Sequence, residues 1–534
     1  EGDAVASFDY VIVGGGSAGC VLASRLSEDP DVTVCLLEAG PAKQDWSVRV
    51  PAGLIKTMKD PNSNWLLRTA PQKNLDNREL FWPRGKVMGG SSAINGMVYI
   101  RGHRDDYDRW ASDEGCAGWD WQTVLPYFRR SEHNERLTDD LHGIGGPLNV
   151  ADPRSPNPMS RMYVESCAAQ QIAENADFNG DRQEGAGLYQ LTQKDGSRCS
   201  AYHAYLEGVE RPNLEIVDLA HANRVLIEEG RAVGVAYNRG NEVVEVRANR
   251  EVLLAGGAAH SPQLLMLSGV GPGEELKAFE IPVKADRPSV GQNLQDHLDV
   301  SVVARTTTAL GFAFTMKGLW MGLRALREYR RGRTGMLTSN FAEAGAFVRS
   351  APEKQLPDLQ YHFLPVVSDS HGQNRIKAHG VTLHCCDLRP KSRGRVGLQS
   401  PDPLAPPLID PNYLDHEDDL AAQRRGVAIG RRMLSAAPLG EHVGKEIYPG
   451  PGVESEADID AFIRRKAETI YHPVGTCRMG SDPESVVDPE CRVRGVEGLR
   501  VIDASVMPSL IGGNTNAPTI MIAERMSDLM RGRA

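Results

Sequence analysis

The chain has 534 residues, 41% of them hydrophobic and 24% charged, with a formal net charge of -10. This length exceeds one small core and predicts more than one structural unit of an ordinary globular protein. The acidic balance and the absence of a long Lys/Arg run exclude a broad nucleic-acid footprint. Nine cysteines are scattered without a C-x-x-C pair, which predicts buried reduced thiols and not a disulfide framework. HCCD (384–387) lacks the spacing of a common zinc site, so no metal is expected. No signal-like segment stands in EGDAVASFDY and no apolar run is long enough to span a bilayer. The expectation is a cytoplasmic location, with membrane association at most peripheral.

The first element is a short apolar run, Tyr10 to Val13, suited to a buried parallel strand. Gly14-x-Gly16-x-x-Gly19 follows at once, then the helix-like CVLASRL (20–26), then a second apolar strand, VTVCLLE, ending in Glu38. This is a complete βαβ unit with an acid about 20 residues after the glycines, the fingerprint of a dinucleotide site. Gly14 permits the tight turn, Gly16 the close approach of a pyrophosphate, and Gly19 close helix–strand packing. The helix start, with Ser17 and Ala18, offers free N–H groups to phosphate. Glu38, followed by Ala39, can accept both hydroxyls of an adenosine ribose and would repel a 2′-phosphate. This unit alone leaves FAD and NAD both open.

Residues 84–102, RGKVMGGSSAINGMVYIRG, put small residues in a row, making a concave backbone with exposed donors. NRGNEV (238–243) predicts a hairpin turn. REVLLAGGAAHSPQLLMLSG (250–269) reads as a buried strand, a sharp exit at Gly256-Gly257, and a helix capped by Ser261 with Pro262 in its first turn. LREYRRGRTG (326–335) is the most basic stretch and reads as a solvated helix end. VTLHCCDLRPKSRGRVGLQS (381–400) gives two strand-like runs around a basic turn. YHPVGTCRMG (471–480) sets His472 before Pro473, which favours an extended backbone at the histidine, with glycines that permit close approach. Alone it fits either an imidazole held against a flat ligand or an ordinary turn.

Together, the βαβ start, the two glycine-rich stretches, YHPVGTCRMG and GVEGLRVIDASVMPSLIGGNTNAPTIMIAERMSDLM (495–530) resemble the glucose–methanol–choline family of flavoprotein oxidoreductases. The matches run in order from residue 8 to residue 530. The text is most similar to the choline-dehydrogenase-like branch, which acts on choline, polyethylene glycols, aliphatic alcohols and hydroxymethylfurfural.

The resemblance implies a mixed α/β fold: a Rossmann-like FAD-binding domain from 1–42, 84–150, 205–298 and 460–534, and a substrate domain and lid from 43–83, 151–204 and 299–459. The substrate domain is expected to hold an antiparallel sheet covered by helices. The resemblance also implies FAD along Gly14, Gly16, Ser17, Ala18, Glu38 and Ala39. Val225 in HANRVLIE falls to the adenine. Gly90, Ser91, Asn95, Gly96 and Val98 run along the pyrophosphate, ribityl chain and ring. Asp503, Ala504, Asn516, Pro518 and Thr519 lie by the ribityl chain and flavin. Ile94 stands where some relatives carry a flavin-linking histidine, so the flavin is expected to be non-covalent. His472 is implied as the base and Asn516 as its hydroxyl-orienting partner, with hydride passing from a primary alcohol to the flavin. Trp65 and Glu343 are expected in the substrate pocket. Phe341 and Ala342 beside Glu343 are too poor in aromatic surface for a quaternary-ammonium cage. Oxygen and a quinone or artificial acceptor both remain open as electron acceptor, as does a cyanohydrin-splitting lyase reading; His472 speaks against the family's decarboxylase.

Overall fold

A computed structural model describes residues 5–313, 316–372, 374 and 376–533. Two large sheets organise the chain. The first has the order Leu214–Val217, Val34–Leu37, Ser7–Val13, Glu242–Leu254, Arg231–Arg239, Ala220–Glu228, and Leu499–Val501 pairs beside Glu242–Leu254. Ser7–Val13 and Val34–Leu37 are parallel and buried at their C-terminal ends, as their apolar run requires. The strand Glu242–Leu254 does two jobs. Its first half pairs antiparallel with Arg231–Arg239, and its second half runs parallel to Ser7–Val13. The turn between them closes at Arg239↔Glu242 with Gly240 at φ 63°, placing the hairpin where NRGNEV predicts it.

The second sheet is antiparallel throughout, in the order Val443–Tyr448, Leu298–Thr306, Gly380–Asp387, Leu359–Leu364, Ala344–Val348, Gly185–Leu188. Helix Glu417–Ser435 packs on it and buries Leu420, Val427, Met433 and Leu434. Each large sheet carries its own apolar cluster. Among the described residues no helix is long and apolar enough to cross a membrane.

Three local expectations are corrected. Glu468–Thr469, read from sequence into the cofactor unit, pairs with Leu298–Asp299 and so joins the second sheet. The two runs around RPKSRG are both strands but not partners: Gly380–Asp387 lies in the second sheet, while Arg395–Gly397 pairs with Leu408–Asp410. Asp419 turns the chain between them by accepting from the backbone N–H groups of Lys391 and Ser392. The helix placed at Ser261 begins at Gly257, so Pro262 lies inside it. Pro262 has no N–H to offer the Ala258 carbonyl, and Thr476 Oγ1 donates to that oxygen instead at 2.8 Å.

Candidate active site

A cavity of about 1000 Å³ runs from the first sheet to the second. Its floor begins at the fingerprint. Gly14 leaves the first strand at φ 103°, and a Cβ there would stand 2.5 Å from the Ala255 carbonyl oxygen. The helix Ser17–Leu26 starts with no side-chain cap, so its first-turn N–H groups are available to an anion. Gly14, Gly16, Ser17 and Ala18 all line the cavity, with Glu38 and Ala39 beside them. Glu38 accepts from the N–H groups of Gly15 and Gly40, each at 2.8 Å, and burial pushes its carboxyl up to about 7. The 84–102 stretch passes over this turn. Gly90, at φ 54°, comes so close that a Cβ would lie 2.6 Å from Gly16 Cα.

His472 stands at the second-sheet end of the cavity and is held from three sides. Its backbone N–H donates to Asp296 Oδ1 at 2.8 Å. Asp296 is itself buried and accepts from Thr469 Oγ1 and the Tyr413 hydroxyl. The preceding Tyr471 adopts φ 72°, a conformation that costs a non-glycine residue about 1–3 kcal/mol, and its N–H is secured by Thr469 Oγ1 at 2.9 Å. The imidazole then meets His297 Nδ1 through its own Nδ1 at 2.9 Å, and Asn514 Nδ2 through Nε2 at 3.2 Å.

These contacts fix the proton positions. His297 Nε2 faces the Leu388 carbonyl at 3.2 Å, and a carbonyl only accepts, so Nε2 carries the proton. Burial pushes His297 down to about 3, so the ring is neutral and its Nδ1 offers a lone pair. His472 Nδ1–H must donate to that lone pair. Burial, with His297, His362 and Arg84 nearby, holds His472 well below the usual histidine range. Its Nε2 is therefore an unprotonated acceptor opening on the cavity, with the Asn514 amide aimed at it. Gln360 Nε2 orients that amide by donating to Asn514 Oδ1 at 2.9 Å.

Sequence reading placed the partner of His472 at Asn516. The structure puts Asn516 elsewhere: its Oδ1 accepts from Ser17 Oγ at 2.7 Å, tying the C-terminal helix Asn516–Met530 to the fingerprint helix. The residue facing His472 is Asn514, two positions earlier. Val225 is likewise corrected. It is buried in the core with its N–H on Ser268 Oγ, and the cavity wall on that strand is Ala220, His221 and Ala222. A register shift between Ala222 and Arg224 changes which side chains face the ligand side. Glu343 does not line the cavity. Its carboxylate turns inward and accepts from Ser339 Oγ, Ser160 Oγ and the Asn157 N–H at 2.6, 2.7 and 2.7 Å. Trp65 does line it, but packs on His260 and His221, with ring centroids 4.5 and 5.6 Å apart, and not on His472. Pro518 is buried in the first turn of the last helix, outside the lining.

Ser91, Asn95, Gly96, Val98, Asp503, Ala504 and Thr519 border the cavity together with Asn516. Asp503 spans two segments: its Oδ2 accepts from Gly257 N–H and Ser261 Oγ, and its Oδ1 from Ser505. Ser261 thus holds an acid instead of capping a helix.

Sequence reasoning missed His297 and Gln360, which touch His472 and Asn514. It also missed a buried triad on the second-sheet wall. Asp299 Oδ2 accepts from His371 Nε2 at 3.0 Å and His384 Nδ1 at 2.6 Å. Those histidines hold the carboxyl well below its usual range against the burial that opposes it. DHLD (296–299) sets three titratable residues in four positions, and that cluster was the one available signal.

The cavity fits an extended dinucleotide. It joins the uncapped helix start to His472 in one space, and a Cβ at Gly96 or Gly257 would project into open room with nothing within 4 Å. Residues 8–299 match the N-terminal model and 390–523 the C-terminal model of GMC oxidoreductase. The "Alcohol dehydrogenase [acceptor]" of Pseudomonas putida is 50% identical over 529 residues, which span 98% of this chain and 95% of that protein. The crystal structure of pyridoxine 4-oxidase from Mesorbium loti superposes with TM-score 0.90 at 31% identity, covering 99% of this chain and 100% of that one. A structure of Aspergillus oryzae RIB40 formate oxidase, which addresses the effect of a mutation on FAD modification, superposes with TM-score 0.92 at 26% identity, covering 99% of each chain.

Proposed function

We propose, from the premise that this chain belongs to the GMC oxidoreductase family, that His472 is the base and Asn514 the orienting group in its oxidation of an alcohol, and that the alcohol is primary, neutral and apolar. The chain is an FAD-dependent enzyme acting on CH–OH donors. FAD bound in this cavity supplies the hydride acceptor, held by the fingerprint turn, Glu38, the 90–98 stretch and the 503–519 segment.

The observation that carries the residue roles is the line Leu388 carbonyl, His297, His472, Asn514. It leaves Nε2 of His472 unprotonated with only the Asn514 amide on it, so a substrate hydroxyl inserted between the two can donate its proton to Nε2 while accepting from Asn514 Nδ2. As the proton moves to Nε2, electron density on the oxygen rises and the neighbouring C–H is released more readily as hydride. A positioned base of this kind contributes about 10²–10⁴-fold.

The walls near His472 support the apolar substrate. Phe312, Phe341, Leu337, Leu364, Val366 and Val367 line that end, the two phenyl rings edge to face at 5.4 Å. A cationic alcohol would need a free carboxylate or an aromatic cage. Asp299 is occupied by two histidines and Glu343 faces away. His472→Ala tests the assignment. It is expected to keep FAD and to lose alcohol turnover at least about 10²-fold; near-parental rates in that variant refute it.

A further inference from the structure

We propose that the outer face of the helix Met316–Gly332, with the cavity mouth beside it, docks on an anionic phospholipid bilayer. This helix turns the wrong residues to water. Trp320, Leu323 and Leu326 are 70%, 55% and 40% exposed. At spacings of three they form one stripe. Ala325 and Tyr329, on the other side, are buried. Arg324, Arg327, Arg330 and Arg331 are all exposed along and beside that stripe, against one acid, Glu328, paired with Arg324 at 2.8 Å. In a chain of net charge -10 this is a local reversal of sign. An apolar stripe carrying Trp and Leu and flanked by arginines is the pattern of a helix lying in a headgroup layer. An anionic bilayer matches both its apolar and its cationic parts.

Position joins this face to the active site. Residues that are both exposed and cavity-lining mark the mouth. Leu323 is one, and Ile55, 42% exposed on the turn Leu54–Thr57, is another. Lys59 lines the same opening. On the neighbouring turn Trp46 is 63% exposed, with Lys56 Nζ 5.5 Å from its ring centre. Apolar and basic groups thus border the entrance on two segments. Docking here would open the cavity toward lipid, where an apolar alcohol concentrates. That use of the surface rests on the substrate reading above, whereas the docking itself does not.

The test is co-sedimentation of the FAD-loaded enzyme with vesicles of equal parts phosphatidylcholine and phosphatidylglycerol, against vesicles of phosphatidylcholine alone. Turnover of a short water-soluble alcohol is followed in parallel as the check on folding. The parent is expected to bind the anionic vesicles and to release them as salt rises. Trp320→Asp with Leu326→Asp, neither of which lines the cavity, should weaken binding at least about tenfold with soluble turnover unchanged. Arg327→Glu with Arg331→Glu should weaken it by roughly fivefold or more per residue. Failure of the parent to bind anionic vesicles overturns the proposal. So does binding by both double variants at the parental level, or equal binding to neutral vesicles. A loss of alcohol turnover in His472→Ala with vesicle binding intact would leave docking standing, and the converse result would leave the base standing.

Discussion

Replacing His297 with phenylalanine isolates the role of the hydrogen-bonded line behind the base. The ring keeps its approximate volume in a fully buried site, but two partners vanish: the acceptor for His472 Nδ1–H at 2.9 Å and the donor to the Leu388 carbonyl at 3.2 Å. An unsatisfied buried polar group costs about 1–3 kcal/mol. For the Nδ1–H of His472 the remedy is to move the proton to Nε2, where Asn514 and the cavity lie. That tautomer cannot accept the substrate proton. A bias of about 1–3 kcal/mol against the working tautomer is roughly 5- to 150-fold in its population. We expect kcat/KM for a primary alcohol to fall by about that factor, with FAD content unchanged. The assay is steady-state turnover of His297→Phe, His472→Ala and the double variant. Because His297 acts through His472, the double variant should match His472→Ala and not multiply the two losses. A His297→Phe enzyme within twofold of the parent, or losses that multiply, would refute the reasoning.

Asn514→Ala removes a donor aimed at the substrate oxygen and should lower kcat/KM by about tenfold or more, whereas Asn516→Ala should weaken FAD retention through the lost Ser17 contact and leave kcat of the loaded enzyme near parental; flavin-to-protein absorbance ratios beside turnover separate the two. The His472 imidazole is held below its ordinary value near 6.5, so the base form is complete at neutral pH and is lost only as pH falls through the depressed value. The kcat/KM profile should therefore be flat through neutral and mildly alkaline pH, and a limb rising through pH 7 would contradict it. Glu343→Gln should cost stability, about 1–3 kcal/mol in denaturant unfolding, by placing an amide among three donors, with KM unchanged; a large KM shift would return Glu343 to the pocket. Ile94 has no atom able to bond flavin, so acid denaturation should release all the FAD into the supernatant.

The readable parts of this chain were those whose meaning is local. The fingerprint could be read because strand, glycines, helix and Glu38 follow one another within one βαβ unit, and the covalent geometry of a tight turn dictates Gly14. His472 stood out through the proline after it and the glycines around it. Asn514 and Asn516 lie two apart in a turn entering a helix, and both have the same chemistry. Only the neighbours, Ser17 on one side and His472 on the other, tell them apart. Ala222 and Val225 share a strand, and a bulge alters the alternation that would have separated them. His297 is 175 residues from His472 and has no turn signal of its own. Glu343 shows that an acid close in sequence to pocket residues such as Phe341 can face the opposite way when three donors wait behind it. Pro262 read as a helix start because its usual place is the first turn, and its tolerance inside the helix depends on a hydroxyl from Thr476, far along the chain.

The most direct measurement is anaerobic mixing of the FAD-loaded parent and of His472→Ala with an apolar primary alcohol, following the visible flavin spectrum. The account predicts rapid bleaching of the parent and bleaching at least about 10²-fold slower in the variant, with air or a quinone then restoring the colour at rates that identify the acceptor. A parent whose flavin no such alcohol bleaches, or a variant that bleaches as fast as the parent, would contradict it.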